Sequence, residues 1–214
     1  MSNEVPRRTA AQRPRSVVVA RGAARNTRFE IRPLEVATWP DFVRIIEKHN
    51  GVWGGCWCVA FHLAHRADDG AAEMNRALKE SLVRAGRTHA ALVYDGPDVV
   101  GWCQFGTPAE LPARMTGFAK LGAPVPDWRI TCFFVDRDHR RRGVAQGALA
   151  GALHMIAAAG GGTVDAYPIA VGRKQYSSSF LWSGTESMFA EAGFRSVGAL
   201  GARKLVMRKA IRRR

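Results

Sequence analysis

The chain is short of acid. Its 214 residues carry 18 Asp plus Glu against 32 Lys plus Arg, a formal charge of +14. Cysteine and tyrosine are scarce too, at four and three residues. Four cysteines in a chain this long do not make a disulfide framework, so a reducing cytoplasm is the expected setting. No signal-peptide core is visible, since the only early apolar run spans Val17 to Ala20. The 22 residues from Gly143 to Val164 carry no charge, but most are Gly or Ala, and Gln146 and His154 interrupt them. A span needs about 20 strongly apolar residues, so no membrane contact is expected. Internal repeats, collagen-like periods and long heptad runs are absent as well.

What remains is an ordinary globular balance, 47% hydrophobic and 23% charged, enough for one domain with a sizeable core. The basicity is concentrated at the ends. Residues 1–28 hold seven Arg and one Glu, and residues 203–214 hold seven Lys or Arg and no acid. The body between is close to neutral. The sequence therefore predicts a disordered basic leader over 1–27, a domain over 28–209 and a basic tail over 210–214. Nucleic-acid contact would fall to the tails, because no basic groove is implied in the fold.

Patterning gives the element order. An opening strand is expected at Phe29–Arg32 and a helix capped by Thr38, with Phe42, Ile46 and His49 on one face. A second helix is predicted from Gly70 to Ala85, with Met74, Leu78 and Leu82 as its buried stripe. Strands follow at His89–Tyr94 and Val99–Phe105; Pro97 in the intervening Asp95–Asp98 segment predicts a turn longer than two residues. Residues 106–127 read as a long loop. Trp128–Val135 is the strongest strand, dominated by β-branched and aromatic residues. A helix to Gly160, a strand at Thr163–Tyr167, a short helix at Thr185–Ala192 and two closing strands, Arg195–Leu200 and Lys204–Arg208, complete an α/β order of β-α-α-β-β-β-α-β-α-β-β.

The chemistry is most visible between the strongest strand and its helix. Arg140-Arg141-Arg142-Gly143-Val144-Ala145 is a basic, glycine-containing turn at a helix start. Backbone N–H groups there, reinforced by the helix dipole and by arginine, suit a diphosphate. This hexapeptide, placed directly after Cys132-Phe133-Phe134-Val135, resembles the pyrophosphate motif of the GCN5-related N-acetyltransferase (GNAT) family. The later Met188-Phe189-Ala-Glu-Ala-Gly193-Phe194 resembles the family's final helix. The resemblance runs from about Phe29 to Met207.

The resemblance implies an acyl-CoA N-acyltransferase fold, with a mixed, mostly antiparallel sheet flanked by helices. It implies acetyl-CoA as co-substrate, with Phe133, Phe134 and Val135 offering backbone to the pantetheine arm and acetyl carbonyl. Arg140, Arg141, Arg142, Gly143, Val144 and Ala145 would hold the pyrophosphate. Many relatives carry a Tyr four residues before the final Gly as the acid for the leaving thiolate; here Phe189 stands there. Tyr167, Tyr176 and Ser183 are substitutes by location. The candidates for a general base are Glu110 and Asp136, since no carboxylate lies inside the main strand.

The loop Gly55-Cys56-Trp57-Cys58 to His62 and His65 has zinc-type donors, yet its spacings are tighter than those of known zinc sites, and no metal is predicted. By position in the family the loop forms part of the acceptor wall, which makes Trp57 and Cys58 candidate substrate-binding residues, joined by Gln104. The expected activity is acetyl transfer from acetyl-CoA to a primary amine of a small acceptor. The alternatives are a macromolecular acetyltransferase acting on protein or charged tRNA, and a non-catalytic acyl-CoA-binding module. The expected assembly is a monomer or homodimer.

Overall fold

In a computed structural model, residues 29–62, 72–113, 118–169, 181–201 and 204–214 are described. The leader expected over 1–27, His65, Tyr176 and the expected start of the second helix at Gly70 lie outside them. The observed order is β1 (Glu30–Pro33), α1 (Trp39–Lys48), α2 (Ala72–Arg84), β2 (His89–Asp95), β3 (Asp98–Gly106), β4 (Trp128–Val135), α3 (Val144–Ala158), β5 (Gly162–Ala166), α4 (Glu186–Glu191), β6 (Arg195–Leu200) and β7 (Lys204–Ile211). Strand β7 therefore runs two residues past position 209.

The strands form a seven-stranded sheet in the order β1-β2-β3-β4-β5-β7-β6. Every pairing is antiparallel except β4 with β5. A parallel pair needs a crossover, and α3 supplies it. The sheet is mixed, mostly antiparallel and flanked by helices. Alternation along β2 and β3 feeds two cores. Ala91, Val93, Val100 and Cys103 face α3 and α4, packing with Leu149, Ile156 and Phe189. Leu92, Tyr94, Val99 and Trp102 face α1 and the 52–61 loop, packing with Phe42, Ile46 and Trp57. Among the described residues no helix is long and apolar enough to cross a membrane.

Two local expectations are corrected. The β2–β3 turn is a two-residue turn, because Asp95 pairs with Asp98. Gly96 takes φ +63° at the first central position, leaving Pro97 the second, where its fixed negative φ fits. On α2 the buried residues are Asn75, Lys79 and Val83, while Met74 is 70% exposed. The helix is rotated by one position from the apolar stripe because it covers a polar cluster centred on Lys79, which has no solvent exposure.

Candidate active site

The site begins with an irregularity in β4. Gln104 pairs with Cys132 and Phe105 with Ile130, so Thr131 is an extra residue, a β-bulge. The bulge reverses the alternation. Ile130 and Phe133 both join the α3 core, whereas Cys132 and Phe134 face α1. It also turns β4 away from β5, since their pairing ends at Ile130 with Ala166. Past that point the Phe133 N–H donates to the carbonyl of Trp182 at 2.6 Å, in the segment leading to α4. Phe133, Phe134 and Val135 thus lie beyond the point where β4 has parted from β5; the Phe133 N–H is taken by Trp182, and the edge that continues through Val135 is of the kind that pairs with an extended amide-bearing arm. Phe134 is fixed there by stacking on Trp102, with ring centroids 4.6 Å apart.

Beyond Val135 the chain tightens into the basic turn. Asp136 caps it, accepting from the Asp138 N–H at 3.0 Å and from Lys48 at 2.6 Å. Burial pushes the Asp136 carboxyl up, but the Lys48 hydrogen bond, the Asp138 N–H and His49 outweigh it and hold the pKa at about 2. Arg141 has φ +60° and Gly143 φ +86°, two left-handed residues that swing the chain into α3. Gly143 is the N-cap and has no side chain to cover the first-turn N–H groups. Val144 anchors the turn from beneath; a Cβ on Gly101 would meet its Cγ1 at 2.7 Å. Arg140, Arg141 and Arg142 are exposed and Ala145 is half-buried. Arg142 reaches Asp95 at 3.4 Å. The six residues proposed for the pyrophosphate make one basic turn at the N-terminus of α3, with three exposed arginines and a glycine N-cap, groups of the kind that suit a diphosphate.

Where β4 and β5 part there is a small cavity of about 10 Å³, room for about one water. It is lined by Phe61, Arg129, Thr131, Tyr167, Trp182, Leu200 and Lys204. Tyr167 is 6% exposed. Burial pushes its pKa up to about 12, Asp165 adding to the rise and Arg129 opposing it. Ser183 is buried and its hydroxyl has no hydrogen-bond partner. Phe189 has no solvent exposure and packs edge-on between Phe133 and Phe194. Neither Glu110 nor Asp136 lines the cavity: Glu110 accepts from the Thr107 N–H at 2.9 Å and lies 3.2 Å from His89.

Trp57, Cys58 and Gln104 sit one layer beneath. Trp57 packs against Trp39, and Arg76 lies over its ring. Cys58 Sγ lies 3.5 Å from Cys132 Sγ and accepts from Trp102 Nε1 at 3.3 Å. Gln104 Oε1 accepts from Lys79 at 2.9 Å, and its amide contacts Thr131 Oγ1 at 3.4 Å. Lys79 also donates to Thr88 Oγ1 at 2.8 Å. That hydroxyl is then free to donate to His62 Nε2, while His62 Nδ1 donates to the Glu110 carbonyl. Burial first, and Lys79 second, hold His62 neutral with a pKa of about 3. Both its ring nitrogens are committed, and among the described residues no three His, Cys, Asp or Glu side chains are grouped to hold a metal.

Sequence reasoning missed Lys79, Arg129 and Trp182. Arg129 carried a signal, as the one charged side chain within the strand Trp128–Val135. Lys79 was obscured by the more apolar stripe one position away, and nothing local marked Trp182.

Residues 49–168 match the model of the Acetyltransferase (GNAT) family. Among solved structures, the GNAT domain of a Streptomyces lividans protein, PAT, is similar at a TM-score of 0.53 and 12% identity, over 85% of this chain and 90% of that one. An N-acetyltransferase from Staphylococcus aureus is similar at a TM-score of 0.51 and 14% identity, over 87% of this chain and 100% of that one. At these identities the likeness is one of fold. Among curated proteins nothing matches the chain.

Proposed function

The chain belongs to the acetyltransferase (GNAT) family, and from that membership we propose that it transfers the acetyl group of acetyl-CoA to a primary amine of a small acceptor. The observation that carries this reading is the junction of two features on one strand. The β4 edge parts from β5 at the Thr131 bulge, and the same strand ends on the cationic, glycine-capped start of α3. Acetyl-CoA has a matching pair of features, an extended amide-bearing arm and a diphosphate, and when bound it supplies the acetyl group already activated as a thioester.

The residues divide the remaining work. Arg140 to Ala145 bind the diphosphate, and the Phe133 to Val135 backbone orients the arm. Phe61, Thr131, Trp182 and Tyr167 line the small cavity beside which the acceptor meets the thioester. The Tyr167 phenol, kept protonated at neutral pH, donates to the leaving thiolate. Among the described residues no carboxylate lines the cavity; in this reading the amine loses its proton to solvent, and turnover rises with pH toward the acceptor's own pKa. Four unpaired cysteines suit a reducing, cytoplasmic setting.

The test is release of CoA thiol, matched to acetylated product, across a panel of small primary amines. We expect one-to-one stoichiometry and a rate that changes less than about threefold between 50 and 200 mM salt. A polyanionic acceptor docked by the basic tails would instead show a steep salt dependence. Tight acetyl-CoA binding without turnover on any amine contradicts the reading in favour of a binding module.

A further inference from the structure

Two buried thiols meet where the 52–61 loop rests on β4. Cys58 Sγ lies 3.5 Å from Cys132 Sγ, and Trp102 Nε1 donates to Cys58 at 3.3 Å. The Cys132 hydrogen bond first, then Lys79 and Trp102, hold the Cys58 thiol down at about 7 against burial. Cys132 is pushed well up by its bond to Cys58 and by burial, so it keeps its proton. The other two cysteines lack this setting. Cys103 lies in the α3 core, where burial alone acts on its thiol. Cys56 is half-buried, and burial first and Cys58 second push its thiol up.

The backbone that delivers Cys58 is strained. Val52, Trp53, Trp57 and Cys58 take φ of +49°, +54°, +46° and +54°, the left-handed region that β-branched and bulky side chains avoid. Such conformations persist where the surroundings fix them, and they gather at sites that act. Strain in the loop also lowers the cost of opening it locally, which admits a small oxidant to sulfurs that are only 3% and 7% exposed.

We propose that Cys58 and Cys132 form a reversible disulfide with peroxide as the oxidant, and that this bond weakens acetyl-CoA binding. The second half rests on the acetyltransferase reading and adds a regulation to it. The Cys58 thiolate attacks a peroxide oxygen; the S–O bond forms, the O–O bond breaks, and hydroxide leaves to take a proton from solvent. Cys132 sulfur then attacks the Cys58 sulfenic acid; the S–S bond forms, the S–O bond breaks, and water leaves with the Cys132 proton. Two thiols are oxidised and one peroxide is reduced to two waters. The sulfurs close from 3.5 Å to about 2.05 Å. Cys132 directly precedes Phe133, whose N–H is held by the Trp182 carbonyl, so the pull falls on the start of the edge that orients the arm.

The test treats reduced full-length protein with excess hydrogen peroxide, alkylates it in denaturant and maps the peptides by mass. The expected product joins the Cys58 peptide to the Cys132 peptide. Cys56→Ser gives the same cross-link, whereas Cys58→Ser and Cys132→Ser do not. By calorimetry the oxidised wild type binds acetyl-CoA at least about tenfold more weakly, the worth of one or two hydrogen bonds to the arm. Dithiothreitol restores the affinity. Sulfinic or sulfonic acid without a cross-link, or a Cys56–Cys58 bond instead, overturns the pairing. A Cys58–Cys132 bond that leaves the affinity unchanged overturns the regulation and leaves the acetyltransferase reading standing. Failure of the reduced protein to bind acetyl-CoA overturns that reading and the regulation with it, while the mass map separately decides the thiol pair.

Discussion

Tyr167→Phe is expected to lower kcat by about 10²- to 10³-fold while changing the acetyl-CoA Kd less than about twofold. The phenol lines the cavity just past the end of β5, among residues other than those at 140–145. Its pKa, pushed up to about 12 by burial with help from Asp165, keeps the proton in place across the working range. No alkaline limb should therefore appear in the rate profile below about pH 10. Phe189, in the last helix, offers no hydroxyl and packs edge-on between Phe133 and Phe194. Ser183→Ala is the comparison. Its hydroxyl is buried and unpartnered but is not among the residues lining the cavity, so the expected fall in kcat is below about fivefold. Steady-state kinetics with thiol detection, together with calorimetric affinities, separate the two. The reverse pattern, a silent Tyr167→Phe and a crippled Ser183→Ala, moves the donor to Ser183.

Lys79 gives the second large effect, on stability. Burial pushes its pKa down to about 8, the nearby thiols Cys58, Cys132 and Cys56 only partly opposing it. In the unfolded chain a lysine titrates near 10.4. Between those values the unfolded state holds more protons than the folded one, so stability rises with pH across this window. Moving the lysine from its unfolded value to about 8 is worth roughly 3 kcal/mol. Cys58 acts in the same sense at the lower end of the range. The Cys132 hydrogen bond, Lys79 and Trp102 hold its thiol below the ordinary value against burial, and the stability this confers is lost as pH falls through the folded pKa. Urea midpoints at pH 7.5, 8.5 and 9.5, followed by tryptophan fluorescence, should climb in the wild type. In Lys79→Met, which keeps the volume and removes the charge, most of the climb should vanish. An equal climb in both proteins would contradict the assignment.

The turn proposed as the cradle was legible in the sequence as a strand–turn–helix junction because its parts are contiguous. Arg140 to Ala145 make a strand–turn–helix junction whose backbone geometry is local, and the φ of +86° at Gly143 is what a glycine there permits. The element order was legible for the same reason, including the short helix expected at Thr185–Ala192; in the structure Thr185 caps it, its hydroxyl accepting from the Met188 N–H. The cavity was not. Phe61, Arg129, Tyr167, Trp182 and Lys204 come from a loop, two strands that part, the approach to α4 and a closing strand, and no spacing links them. The buried face of α2 misled for a different reason. Met74, Leu78 and Leu82 are the more apolar stripe, but the helix lies over Thr88 and Gln104, whose oxygens are satisfied by Lys79. Hydrogen-bond demand from the sheet outweighed the apolar pattern. The bulge at Thr131, which parts β4 from β5, is a property of the register with β3 and has no signature within β4 itself.

The most direct test is calorimetric binding of acetyl-CoA to the wild type, Gly143→Asn and Gly143→Asp at moderate salt. Asn and Asp tolerate the left-handed conformation alike, so the difference between the two variants reads the charge placed where the diphosphate should sit. We predict micromolar binding by the wild type, on the order of −8 kcal/mol. Gly143→Asn should stay within about tenfold of it, and Gly143→Asp should weaken it by at least about a further 30-fold. Absence of binding by the wild type, or equal binding by folded Gly143→Asp, would contradict the account of the α3 turn as the acetyl-CoA cradle.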